Sequence, residues 1–269
     1  MTTAATHPPV TVAEIDALLE NLVATWHRVE PGHDERELRG RVCDLHRFNF
    51  LLWHEEDIAR SPEVTDKQIA EVKRAIDRYN QARNDSIEKV DDWLIEDLAR
   101  RGIAAAPTAP AATETPGSVI DRLSILELRR FHMREQIERA DASMEHRQKA
   151  AARMVVLDRQ RAHLVEAADR LLAEIFAGQR PLRVFRQMKM YNDPTMNPYL
   201  YAAKASAAAL SNSCGCGPAT AAIPRPSTPP PSVAAGSRST RGASAGPARR
   251  RPTYRAAASV PVRAATPAR

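Results

Sequence analysis

Apolar residues recur every three or four positions in five stretches of the chain, which is the helical period, and period-two alternation is almost absent. Three of the stretches open on a capping box, in which two side chains satisfy the orphan N–H groups of a first turn: Thr11-x-x-Glu14, Asp34-x-x-Glu37 and Thr65-x-x-Gln68. The third helix is expected to end near Gly102, where a residue without Cβ takes the left-handed conformation. An Ala/Pro/Thr connection over 102–115 follows. A fourth helix starts around Thr115-Pro116-Gly117-Ser118, and a fifth runs from about Asp141 to Gly178. The segment Arg183-Val184-Phe185 suits either helix or strand. The pattern predicts an all-α bundle of about five helices over residues 1–201.

The seams are broken at particular places. In the second helix the stripe Leu38, Val42, Leu45, Phe48, Leu52 leads to Glu55, which is therefore expected to point inward, with His54 at its margin and Glu56 and Asp57 pointing away or sideways. The third helix runs Ile69, Val72, Ile76, Tyr79 to Arg83, bordered by Asn80 and Asn84. The fifth carries Arg161 among Met154, Leu157, Leu164 and Ala168, and the fourth carries Asp121 and Arg122 in an apolar run. An unpaired buried ion costs several kcal/mol, so these groups are expected to meet at one level, either as an ion network that fixes register or as a polar site between helices.

Charge and composition separate the tail from the body. Of 39 Lys/Arg and 33 Asp/Glu, ten bases and no acid lie in 202–269, leaving 29 bases against 33 acids in the first 201 residues, a net of −4. The basic character thus belongs to the tail, which also holds ten of the 20 prolines and is expected to be disordered. Its arginines suit loose polyanion contacts, but Tyr254 is the one aromatic there, so no specific nucleic-acid recognition is expected. No run is apolar enough to span a bilayer and no secretory leader is apparent, which gives a cytoplasmic expectation. Cys43, Cys214 and Cys216 make neither a disulfide framework nor a four-ligand zinc site.

Two loop-borne segments extend the candidate site. The Gly and hydroxyls of Thr115–Ser118 leave N–H groups at a helix start for an anion, although capping explains them as well. Lys189, Tyr191, Asn192 and Asp193 sit in a turn that presents polar groups together. The candidate ligand-binding set is Asn80, Arg83, Asn84, Ser118, Asp121, Arg122, Arg161, Lys189, Tyr191, Asn192 and Asp193, with Glu55 and His54 as candidate general acid or base. Nucleotide-loop and hydrolase-elbow motifs are lacking, and no cofactor is identifiable. No metal is expected: none of the five helical stretches contains Glu-x-x-His, and the reversed His54-x-x-Asp57, His132-x-x-Glu135 and His163-x-x-Glu166 are common on exposed faces.

Read together, His54-Glu55-Glu56-Asp57, Asn80-Gln81-x-Arg83-Asn84-Asp85, Glu114 to Ser124, Gln160-Arg161 and Lys189 to Pro194 resemble the signature of the bacterial domain-of-unknown-function 4254 family, over roughly residues 45–201. The resemblance implies a helical cytoplasmic protein whose relatives are often encoded near glycosyltransferase or envelope-polysaccharide genes. It supplies no reaction. Two functions are therefore expected in competition. One is a site for an anionic small molecule, a sugar phosphate or nucleotide sugar. The other is a non-enzymatic helical module, as a homodimer or an adaptor for a glycan enzyme, whose buried charges are structural.

Overall fold

The computed structural model describes residues 7–188, 193 and 195–202. Five long helices make up the first of two compact units: α1 (Val12–Trp26), α2 (Glu37–Arg60), α3 (Asp66–Arg100), α4 (Pro116–Glu138) and α5 (Met144–Phe176). No strand occurs among the described residues, and 183–185 are in neither a helix nor a strand. The second unit contributes a helical turn over 198–202. The tail beyond residue 202 lies outside the described residues.

The capping chemistry sets most boundaries. Thr11 and Thr65 each accept the N3 backbone N–H, while Glu14 and Gln68 reach back to the N-cap N–H. Gly102 and Gly178 adopt φ of +67° and +69° just past α3 and α5. Asp34 does not cap α2. The N-cap there is Arg36, without a side-chain hydrogen bond, and Glu37 enters the helix at φ 51°. That strained entry frees the Glu37 carboxylate to accept the indole N–H of Trp93 on α3 at 3.0 Å. Ser143, two residues later than Asp141, caps α5.

α2 and α3 form one hairpin, α4 and α5 a second, and α1 packs across α2, α4 and α5. α4 touches all four of the others. Its Val119, Ile120, Leu123 and Leu128 meet Ile15, Leu19 and Val23 of α1, Val42 and Leu45 of α2, Val90 and Leu94 of α3, and Leu172 and Phe176 of α5 in one core. Each such side chain, moved from water, contributes about 1.5–3 kcal/mol. At the other end of the molecule the core thins: Val155 and Val156 of α5 are exposed, and Leu52, Val72 and Ile76 form a small satellite cluster.

Gly117 lets α3 and α4 approach this closely. A Cβ there would stand 2.5 Å from the Ile87 carbonyl oxygen and 3.0 Å from the Asp91 carboxylate. The Gly117 N–H instead donates to Asp91 Oδ1 at 2.7 Å, and Thr115 accepts the Ser118 N–H at 3.2 Å. Two of the N–H groups at this helix start, those of Gly117 and Ser118, are thus met by the protein's own side chains, and the cap is Thr115, with Ser118 inside the first turn.

Candidate functional site

The ionised groups divide between two places on either side of α4. On the α1–α5 side, Arg161 forms a bidentate pair with Asp16, its Nε donating at 2.9 Å. One turn away Glu127, buried, pairs with Arg130, which also bonds Asp158 at 2.8 Å. Burial raises the carboxyls of Asp16 and Glu127, and the arginines beside them oppose that rise. This cluster is closed: every carboxylate in it has a cation. Arg161 therefore does not join Arg83, and the expectation of a single level is corrected to two.

On the α2–α3 side, Asn49 donates to Asp121 Oδ1 at 2.8 Å and to Ser124 Oγ at 2.9 Å, and Ser124 shares a 2.8 Å hydrogen bond with His46 Nδ1. Burial pushes the Asp121 carboxyl up, against the Asn49 bond and the positive field of Arg83. Beside this network opens a cavity of about 480 Å³, lined by Asn49, Leu52, Trp53, Glu56, Asp57 and Arg60 of α2, Asn80 and Arg83 of α3, and Ile125, Leu128 and Arg129 of α4. Arg60 is neutralised by Glu56 at 2.9 Å. Arg83 and Arg129 form no salt bridge among the described residues, and Arg83 Nε is buried without a hydrogen-bond partner.

The buried line of α2 departs from the expected one at a single place: it runs Leu38, Val42, Leu45, Asn49 and Leu52, with Asn49 where Phe48 was expected. Glu55 is half-buried and lines none of the described cavities, whereas Glu56 and Asp57, expected to point away or sideways, line this one. Asn84 is buried and outside the lining. Arg129 was missed. The signal for it lay in following the Asp121 face along α4, since 121, 125 and 129 are four apart.

A larger cavity of about 900 Å³ lies between α4, α5 and residues 111–114, and Arg122, Arg129, Gln160, His163 and Arg180 line it. Its arginines are mostly satisfied. Arg122 grips Glu114 with contacts of 2.6 and 2.8 Å, and Arg180 bonds Glu174 at 2.5 Å. A third cavity, about 370 Å³, is bounded by Trp53, Asp57, Arg129, His132, Met133, Gln136 and Leu157. Lys189, Tyr191 and Asn192 lie outside the described residues. Asp193 belongs to the second unit, where its carboxylate accepts the N–H and hydroxyl of Thr195 at 2.7 and 2.6 Å, as a turn requires.

Titration of Asp91, behind the α4 N-terminus, gives a first testable result. Burial raises this carboxyl to about 6, although the bonds from Thr115 and Gly117 pull it down. A raised folded value means that its contribution to stability is complete below the unfolded value of 3.8 and is lost as pH rises through about 6. Asp91→Asn keeps the acceptor oxygen and removes the ionisation. Urea unfolding of variant and parent should therefore show the variant gaining by up to about 3 kcal/mol relative to the parent between pH 4 and 6. Parallel curves would show that Asp91 ionises over the same pH range in the folded and unfolded chain.

A family model described as "Protein of unknown function (DUF4254)" matches residues 39–184, spanning α2 to just past α5 and including every side chain of the α2–α3–α4 cavity. No curated protein and no solved structure matches the chain.

Proposed function

The chain belongs to the DUF4254 family, and from that premise we propose that it binds an anionic small molecule in the cavity between α2, α3 and α4. The observation that carries this reading is the pair Arg83 and Arg129: two guanidinium groups on one cavity, neither in a salt bridge among the described residues, whereas Arg122, Arg161 and Arg180 are each held by a carboxylate. Guanidinium forks match phosphate and carboxylate oxygens bidentately. Asn49 and Asn80 add amide groups, and Trp53 adds an aromatic face beside them. A volume of about 480 Å³ suits a sugar phosphate or the phosphate-bearing half of a nucleotide sugar. A tie to envelope-glycan synthesis is consistent with such a ligand. The carboxylates next to the ligand are Glu56 and Asp57, so acid–base chemistry by Glu55 is not part of this reading.

The closed Arg161–Asp16 and Arg130–Glu127 pairs favour a second reading for the other side of α4, where charge fixes how the helices pack, as in a helical adaptor or homodimer. Two substitutions separate the roles. Arg161→Leu strands the buried Asp16 carboxylate and should cost about 2–3 kcal/mol by urea unfolding, somewhat below the range for fully buried pairs because Arg161 is partly exposed. Arg83→Leu strands no carboxylate and should cost less than about 1 kcal/mol. In a thermal-shift panel of sugar phosphates and nucleoside-diphosphate sugars, the parent and Arg161→Leu should both be stabilised by the same compound, and Arg83→Leu and Arg129→Leu by none. A panel in which no compound raises the parent's Tm, or in which the response survives loss of both arginines, refutes the anion site.

A further inference from the structure

Where α1 ends, its last residues meet the middle of α2 and the second half of α4 in a cluster of rings. His27, the C-cap of α1, stacks on Phe131 with centroids 4.0 Å apart; His132 stacks on Trp53 at 4.9 Å; and His54 packs edge-on to His27, Phe50 and His132. One ring nitrogen from each of His27, His54 and His132 falls within 4.8 Å of the other two. Three imidazoles in such proximity are unusual packing material, because each brings a ring nitrogen that an apolar residue of the same size would not.

The hydrogen bonds of the outer nitrogens assign the tautomers. His27 Nδ1 lies 2.7 Å from the Val23 carbonyl oxygen, which only accepts, so this nitrogen carries the proton and Nε2 carries the lone pair. His132 Nδ1 lies 2.8 Å from the Glu135 carboxylate, with the same result. Both Nε2 atoms are sealed from solvent and have no hydrogen-bond partner among the described residues. An imidazole whose far nitrogen donates to a carbonyl or a carboxylate, and whose near nitrogen faces inward, is the arrangement by which proteins orient histidine ligands on a metal.

We propose that His27, His54 and His132 form a three-histidine site for a divalent transition metal of the zinc class, with Glu135 as the carboxylate that positions His132. Imidazole donors select zinc, cobalt, nickel or copper over magnesium and calcium, which require oxygen ligands. Nitrogens bonded at about 2.0–2.1 Å in a tetrahedron stand about 3.4 Å apart, so small ring movements toward a common centre complete the set. Three histidines leave a fourth position for water or an exogenous ligand. His132 also borders the 370 Å³ cavity, whose Trp53, Asp57 and Arg129 it shares with the anion cavity. The metal site stands independently of the anion reading, since none of its three ligands lines the latter cavity.

The test is Co2+ titration of the full-length chain after chelator treatment and desalting, followed by absorption, with Zn2+ competition. One equivalent should bind and give the intense visible bands of a four-coordinate ion, and Zn2+ should displace it. Glu135→Gln leaves the rings intact and should weaken binding about 10–100-fold. His54→Gln and His132→Gln should weaken it further, with circular dichroism reporting whether each variant is folded. Because Glu135 is exposed, its variant decides the matter even if a histidine variant fails to fold. Absence of stoichiometric binding by the parent overturns the proposal, as does binding unchanged in both Glu135→Gln and a folded histidine variant. So does a thiolate-to-cobalt charge-transfer band that disappears in Cys214→Ser/Cys216→Ser, which would place the ion in the tail.

Discussion

Gly117→Ala should lower the unfolding free energy by about 3 kcal/mol or more, a large share of the 5–15 kcal/mol typical of a folded domain. The usual gain of replacing glycine by alanine in a helix, about 1 kcal/mol, is overridden here by contact. The added methyl would lie 2.5 Å from a backbone oxygen of α3, an atom that cannot swing aside as a side-chain tip would. Relief requires α3 and α4 to move apart. Separation breaks the bond from the Gly117 N–H to the buried Asp91 carboxylate and leaves that carboxylate under-satisfied, which adds about 1–3 kcal/mol to an overpacking cost of similar size. Urea unfolding of the variant measures the sum. A loss below about 1 kcal/mol would mean that the two helices are not held at this distance. Asp91→Ala, which removes the acceptor without adding volume, separates the two components.

Acidification from pH 7 to pH 4 should remove about 3–4 kcal/mol of stability well before the surface carboxylates have finished protonating. Burial holds His46 at about 3 and His54 at about 4, below the ordinary 6.5, and lowers His27 as well. For a base with a lowered folded value, the stabilising contribution is complete above the unfolded value and is lost as pH falls through it toward the folded one. The unfolded chain gains these protons from about pH 6.5 downward while the folded chain resists them. His46, fully buried against Trp26, accounts alone for about 3 kcal/mol by pH 4. Asp91 acts in the opposite sense over the same interval, with a folded value of about 6 against 3.8, and offsets roughly one histidine. Two or three histidines outweigh one aspartate, so the net slope is downward. Unfolding curves at half-unit pH steps check this, and His46→Gln should show lower stability at pH 7 but a shallower slope. A flat profile across pH 4–7 in the parent would show that the histidines take up protons as readily folded as unfolded.

The helices and several of their caps were legible because they depend on neighbours within four residues. Thr11, Thr65 and Thr115 cap helices, as their types and spacings require, and Gly102 and Gly178 end two. The site was only partly legible, because its chemistry depends on partners far along the chain. Hydrophobicity chose Phe48 over Asn49 as the inward residue of α2. The buried Asn49 is compensated by Asp121 and Ser124, 72 and 75 residues away, which no local rule sees. Arg161 likewise stood out as a charge in a seam, but its partner Asp16 is 145 residues distant. The histidine trio had no signature at all as a trio. Its members come from three helices, and only the His132–Glu135 step, dismissed as a surface pattern, carried a trace of it.

α4 carries both the close crossing at Gly117 and the ring of His132, fifteen residues and about 22 Å apart on one uninterrupted rod. A single residue inserted or deleted between them would turn the distal half by about 100° relative to the proximal half. It would swing Arg129 out of the cavities and His132 away from its fellows, even if every amino acid were kept. Homologous chains that preserve both features should therefore tolerate length changes in the 102–115 connection but none between these two points.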